Sequence, residues 1–212
     1  AILICDMWDK HWCRGARARV DEMVRRMAPV VDKARAAGIR IIHAPSDVME
    51  FYKDYPQRKR MLELPQVEPP APVALPDPKL PIDDSDGGCD TEGDKVVYVW
   101  TREHPGLTIG PDDVISDNGR QVYSFLRHSG IGNLLVMGVH TNMCVLNRTF
   151  AIKQMARWGI RCILVRDLTD TMYDPKDPPQ VSHDEGTALV VEHIEKHWCP
   201  STTSAELVAA LR

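Results

Sequence analysis

Cys144 follows the apolar run Leu134-Leu135-Val136-Met137 after the stretch Gly138-Val139-His140-Thr141-Asn142-Met143. The apolar run reads as a buried parallel strand. The residues after it read as a tight turn opening a helix over 143–158, with Thr141 or Asn142 able to cap it. A thiol in a first helical turn feels the positive end of the helix dipole and nearby unpaired N–H groups, which favours thiolate. The same N–H groups suit an oxyanion. Position 144 thus offers a nucleophile and a means of stabilising the charge its attack creates. The plainer alternative is a small core residue, which is the reading for Cys5 and Cys162 inside their apolar runs.

In open parallel sheets, ligands bind beyond the carboxyl ends of the strands. Asp6, Asp47, Arg102, Cys144 and Asp167 all fall at such predicted ends. An aspartate ending an apolar strand serves more often as a helix cap or a structural hydrogen-bond acceptor. Arg102 is either a solvated loop residue or a fixed charge that holds the aspartate and thiolate without exchanging protons. Trp8, His11 and Trp12 follow Asp6 directly and either wall a pocket for a flat or apolar substrate or pack under a loop. His104, just after Arg102, is a further pocket candidate, whereas His43 lies within a strand and reads as core.

These residues need a scaffold, and the hydrophobic pattern describes one. Strand-like runs are predicted at 2–6, 40–44, 95–100, 134–138 and 161–165, with a possible sixth at 199–202. Helical patterns fall at 16–37, 119–129, 143–158, 183–197 and 204–211. Gly38 suits the end of the first helix, and Pro29 should kink or break it. Alternation of this kind implies an α/β fold: a doubly wound parallel sheet of five or six strands with helices on both faces. All 212 residues are read as one domain.

Gly-x-x-Thr-x-x-Cys-Val after a buried strand, with Asp6 ending the first strand, resembles the isochorismatase-like cysteine hydrolases, the superfamily that includes nicotinamidases. The resemblance covers most of the chain outside its middle section. It implies Cys144 as nucleophile, Asp6 as the proton acceptor, and a cis peptide at Val139–His140 that aims the His140 N–H, with that of Cys144, at an oxyanion. It also implies hydrolysis of a C–N bond in a small amide or ureide through a thioester. The family's lysine near the end of strand three is missing, since Lys95 begins that run and Arg102 follows it. Arg102 is therefore the candidate third member. The alternative is a non-catalytic domain of this fold that binds a small molecule or a protein. Nicotinamidases carry Asp-x-His after strand two, but Asp47-Val48-Met49 lacks the histidine, and no metal or other cofactor is expected. The acidic turn Asp83, Asp84, Asp86 and Asp90 would at most hold a cation loosely.

The net charge of −4 gives no basic footprint for nucleic acid or anionic membrane. No apolar run is long enough to span a bilayer. Six cysteines show no CxxC or zinc-ribbon spacing, and reduced thiols in a cytoplasmic setting are the expectation for a chain of this size. Cys13, Cys89 and Cys199 are unassigned by spacing. The proline-rich arm at 64–81 must be extended. It is expected to lie across the domain or a neighbouring subunit, making a homo-oligomer, most simply a dimer, that acts on a small molecule.

Overall fold

The computed structural model describes residues 1–211. Six parallel strands form one sheet: β1 (Ile2–Cys5), β2 (Ile41–Ala44), β3 (Val114–Ile115), β4 (Asn133–Val139), β5 (Arg161–Asp170) and β6 (Ser201–Thr202). Their order is β3-β2-β1-β4-β5-β6, so strand order reverses between β1 and β4. That switch point opens a crevice at the carboxyl ends of these two strands.

The helices are α1 (Arg14–Ala36), α2 (Pro56–Glu63), α3 (Gly119–His128), α4 (Cys144–Asn147), α5 (Ile152–Arg157), α6 (His183–His197) and α7 (Ser204–Ala210). Successive residues of β1 point to opposite faces, as the period of two requires. Leu3 and Cys5 join a core with side chains of α3, α5 and α6, while Ile2 and Ile4 join one with α1 and α7. Pro29 does not break α1. It lies on the exposed face, so its ring meets solvent while Met27, Val30 and Val31 stay packed on the sheet.

The structure corrects two expectations about the elements. The run 95–100 is not a strand: Val96, Val97 and Tyr98 are 65%, 53% and 78% exposed. The place beside β2 belongs to Val114 and Ile115, which are fully buried and paired with Ile42 and His43. What fixes β3 there is a charge cluster invisible to hydrophobic pattern. Buried His43 meets Glu103 Oε2 through Nδ1 at 2.7 Å and Asp113 Oδ2 through Nε2 at 3.1 Å. Arg35 Nη2 donates to the same Asp113 oxygen at 2.8 Å. The second correction concerns the helix read over 143–158. It is split into α4 and α5, because Arg148 turns to extended backbone (φ −60°, ψ 151°).

The arm at 64–81 has no regular structure and lies across its own domain. The Val67 N–H donates to Ser124 Oγ of α3, and Asp77 pairs with Lys153 and Arg157 of α5. Farther on, Cys13 and Cys89 form a disulfide, a departure from the expectation of reduced thiols. Among the described residues no helix is long and apolar enough to cross a membrane.

The His43 cluster makes stability pH-dependent in a defined window. Burial alone would lower the imidazole's pKa, but Glu103 and Asp113 outweigh it and raise the value from 6.5 to about 9. A folded-state pKa above the unfolded one gives stabilisation that is complete below pH 6.5 and lost as pH rises through about 9. The full contribution is on the order of 3 kcal/mol. Urea unfolding followed from pH 6 to 10 should show this loss in the wild type. In His43→Gln it should be absent and the protein weaker at pH 6. An equal pH slope in both proteins would contradict the assignment.

Candidate active site

Asp6 and Cys144 leave adjacent strands at the switch point. Their approach depends on Gly138, which sits at φ 113° where a Cβ would come within 2.1 Å of the Cys5 carbonyl oxygen. Only glycine lets β1 and β4 close at this level. Asp6 is itself in the left-handed region at φ 47° and is fully buried. Its Oδ1 accepts the Ser46 N–H at 2.7 Å, its Oδ2 accepts Arg148 Nε at 3.0 Å, and its carboxylate lies beside the Cys144 thiol.

Arg148, not Arg102, supplies the cation. It stands four residues after Cys144, close to one helical turn away, and the chain break at Arg148 turns its guanidinium back over Asp6. Arg102 sits 5.7 Å above the Phe51 ring, stacked at the surface. With His104, it lines a separate cavity of about 260 Å3. His104 Nε2 is committed there to Asp21 at 3.0 Å. Both residues followed a misplaced strand end, and neither reaches Cys144. Asp167 is also elsewhere: β5 runs on to Asp170, and Asp167 accepts the Ser204 N–H and hydroxyl at the start of α7.

The electrostatics differ from those expected of a helix terminus. α4 is a single turn, too short for a large dipole, and neither Thr141 nor Asn142 caps it. Thr141 Oγ1 pairs with Thr169, while Asn142 bonds Met172 and Asp84. Burial pushes the Cys144 thiol well above its ordinary pKa; the charge of Asp6 adds to this, and Arg148 opposes it. Burial also raises Asp6, against the pull of Arg148 and the adjacent Cys144 thiol. Burial therefore works against charge on both Cys144 and Asp6, and Arg148 is the group that offsets it.

The Val139–His140 peptide is cis, and the His140 backbone lies near enough to the Cys144 sulfur to favour its thiolate. The expected oxyanion donor therefore lies beside the nucleophile. Above the sulfur is a cavity of about 290 Å3 to which Trp8, His11, Trp12 and His140 all contribute. Trp8 is held by Nε1 donating to the Ser46 carbonyl and stacks on Trp100 with ring centres 4.3 Å apart. Trp12 stacks on His11. The Cys13 N–H donates to His11 Nδ1, which leaves the His11 proton on Nε2, 3.3 Å from His140 Nε2. Burial and then His11 lower the His140 pKa to about 3, so that ring is neutral. A second groove, of about 680 Å3, meets the first at Cys144 and Arg148 and is bordered by Lys79, Asn147 and Lys153.

Trp100, Met172 and the side chain of Arg148 escaped the sequence reading. Arg148 had a usable signal, its spacing from Cys144, whereas the other two reach the pocket only through loop geometry. The acidic turn forms no cation cage: Asp84 accepts from Asn142, Asp90 pairs with Arg19, and Asp83 and Asp86 accept backbone N–H groups of their own turn. Among the described residues, three potential metal-ligand atoms converge only at Cys13, Cys89 and Asp94, where the two sulfurs are bonded to each other.

These contacts separate the two arginines experimentally. Arg148→Ala removes the charge that opposes the rise of the Cys144 pKa, so alkylation by iodoacetamide at pH 7 should slow by about tenfold or more. Arg102→Ala should leave the rate unchanged. Equal rates in all three proteins would contradict this placement.

No family model matches the chain, and no curated protein matches it. Solved structures do. A cysteine hydrolase from Pseudomonas syringae pv. phaseolicola superposes with a TM-score of 0.61 at 18% identity, covering 99% of this chain and 90% of its own. An isochorismatase-like hydrolase from Alkaliphilus metalliredigens gives 0.58 at 14%, covering 100% and 95%. N-carbamoylsarcosine amidase from Thermoplasma acidophilum gives 0.55 at 12%, covering 96% and 95%. The chain has the fold of the isochorismatase-like cysteine hydrolases.

Proposed function

We propose that the protein is a cysteine-dependent hydrolase that cleaves a C–N bond of a small amide or ureide through a thioester. The observation that carries this is the contact of Cys144, Asp6 and Arg148 at the mouth of the aromatic cavity. The similarity to a cysteine hydrolase and to an N-carbamoylsarcosine amidase supports the reaction class.

In this mechanism Asp6 takes the thiol proton as the Cys144 sulfur attacks the carbonyl carbon. The carbonyl π bond opens, and its electron pair settles on oxygen, facing the His140 and Cys144 N–H groups. Collapse of this adduct breaks the C–N bond, and protonated Asp6 gives its proton to the leaving nitrogen. Asp6, again a carboxylate, then takes a proton from water as the water attacks the thioester. Collapse of this second adduct breaks the C–S bond, protonated Asp6 returns its proton to the departing Cys144 sulfur, and the acid product leaves with thiol and carboxylate restored. Arg148 keeps its proton throughout, raised in pKa by Asp6 against the opposing effect of burial. Proton transfer therefore falls to Asp6 alone, with Arg148 offsetting the negative charge of Asp6 and Cys144.

Incubation with p-nitrophenyl acetate tests the covalent step without a known substrate. The expected result is a burst of p-nitrophenolate and one acetyl group mapped to Cys144. Cys144→Ala and Asp6→Asn should each abolish the burst. Their double variant should be no worse, because residues acting as one unit lose activity non-additively. Acetylation spread over surface lysines, unchanged in Cys144→Ala, would favour a non-catalytic binding domain instead.

A further inference from the structure

Arg148 is held from two sides. Nε donates to Asp6 Oδ2 at 3.0 Å, and Nη2 donates to Asp47 Oδ2 at 3.2 Å. The two carboxylates are unlike: the Asp6 side chain is fully buried, and that of Asp47 is 53% exposed at the cavity rim. Asp47 is firmly placed, in left-handed backbone at φ 66°, with its N–H donating to Asp117 Oδ2 at 3.2 Å. Aspartate is among the few residues that tolerate this conformation. The catalytic steps above give Asp47 no task.

We propose that Asp47 is a positioning residue for the reaction: by holding the outer end of Arg148, it divides the guanidinium between the rim and Asp6 and leaves Asp6 able to accept the Cys144 proton. The inference rests on the Cys144–Asp6–Arg148 reading. A guanidinium committed to one carboxylate forms a bidentate fork, which holds that carboxylate ionised and weakens it as a base. Here Asp6 receives a single Arg148 hydrogen bond, because the other end of the fork is engaged by Asp47. Among the described residues these are the carboxylates that contact Arg148.

On the groove side, Asp77, Lys79, Asp84 and Lys153 line the space that reaches Cys144 and Arg148; Asp77 pairs with Lys153 and Asp84 accepts from Asn142. The Cys5 thiol is buried and raised in pKa, chiefly by burial. Asp117 meets the Asp47 amide. His11 and His140 share the cavity, and burial lowers both imidazoles, so they carry no charge near neutral pH. The chain Asp47–Arg148–Asp6 is thus the route by which a rim charge reaches the thiol.

The test follows alkylation of Cys144 by iodoacetamide across pH, with peptide mapping, together with hydrolysis of the acetyl adduct formed from p-nitrophenyl acetate. Asp47→Asn removes a negative charge and lets Arg148 close on Asp6, and both changes favour thiolate. The alkylation midpoint should fall by about one pH unit. Deacylation should slow at neutral pH, because Asp6 has become the weaker base. Asp47→Glu should return the midpoint toward wild type. In an Arg148→Ala background, Asp47→Asn should shift the midpoint by less than half as much. A merely structural role would change the rate at every pH and leave the midpoint in place. An unmoved midpoint in folded Asp47→Asn, or an equal shift with and without Arg148, would overturn the role of Asp47 alone. Failure of the wild type to label at Cys144 or form the acetyl adduct would remove the cysteine mechanism and this role with it.

Discussion

The ion pair between Asp6 and Arg148 is the constraint on which the rest of the site depends. A carboxylate with no exposed surface costs several kcal/mol to desolvate unless it is paired and hydrogen-bonded. Asp6 has both the Ser46 amide and the Arg148 guanidinium. Several local features serve that pairing. Gly138 allows β1 and β4 to close, the left-handed backbone of Asp6 turns its side chain into the crevice, and the break after α4 brings Arg148 back toward the sheet. Without the cation, burial would favour the uncharged acid at Asp6, which could not take the Cys144 proton in the proposed mechanism.

An arginine in this place alters how the chemistry is divided. Lysine can hold or release a proton when buried, whereas guanidinium keeps its proton and offers a planar fork. Burial raises the pKa of both Cys144 and Asp6, and the fixed charge of Arg148 opposes that rise in each. Around that pair the protein supplies a stiff wall: Trp8 and Trp100 stacked, His11 and His140 edge to face, and the disulfide-tied segment carrying Gly87 against Trp12. Rigid walls suit a reaction that needs the carbonyl carbon held at contact distance from sulfur.

The sequence made Cys144, Asp6, the parallel sheet and the aromatic loop legible because each carries a local signature: an apolar run, a turn, a strand-ending acid. It misled at 95–100, where five consecutive β-forming residues read as a strand. That segment lies exposed over the pocket, since the ion pairs of His43 with Glu103 and Asp113 secure Val114 and Ile115 in the sheet. Local propensity yielded to a buried charge cluster assembled from residues up to 78 positions apart. Misplacing that strand put the expected cation beside Asp6 at Arg102 instead of Arg148. Arg148 stayed hidden because an unbroken helix from 143 to 158 was expected, whereas its backbone leaves the helix to reach Asp6.

Chemical rescue of Arg148→Ala measures the central claim most directly. Deleting the side chain leaves a cavity between Asp6 and Asp47 that a small planar cation fits. Methylguanidine at non-denaturing concentration should restore the p-nitrophenyl acetate burst in a saturable manner, and methylammonium should restore much less. A folded Arg148→Ala protein that keeps its full burst unaided, or one that recovers nothing with any cation, would contradict the role assigned to the guanidinium.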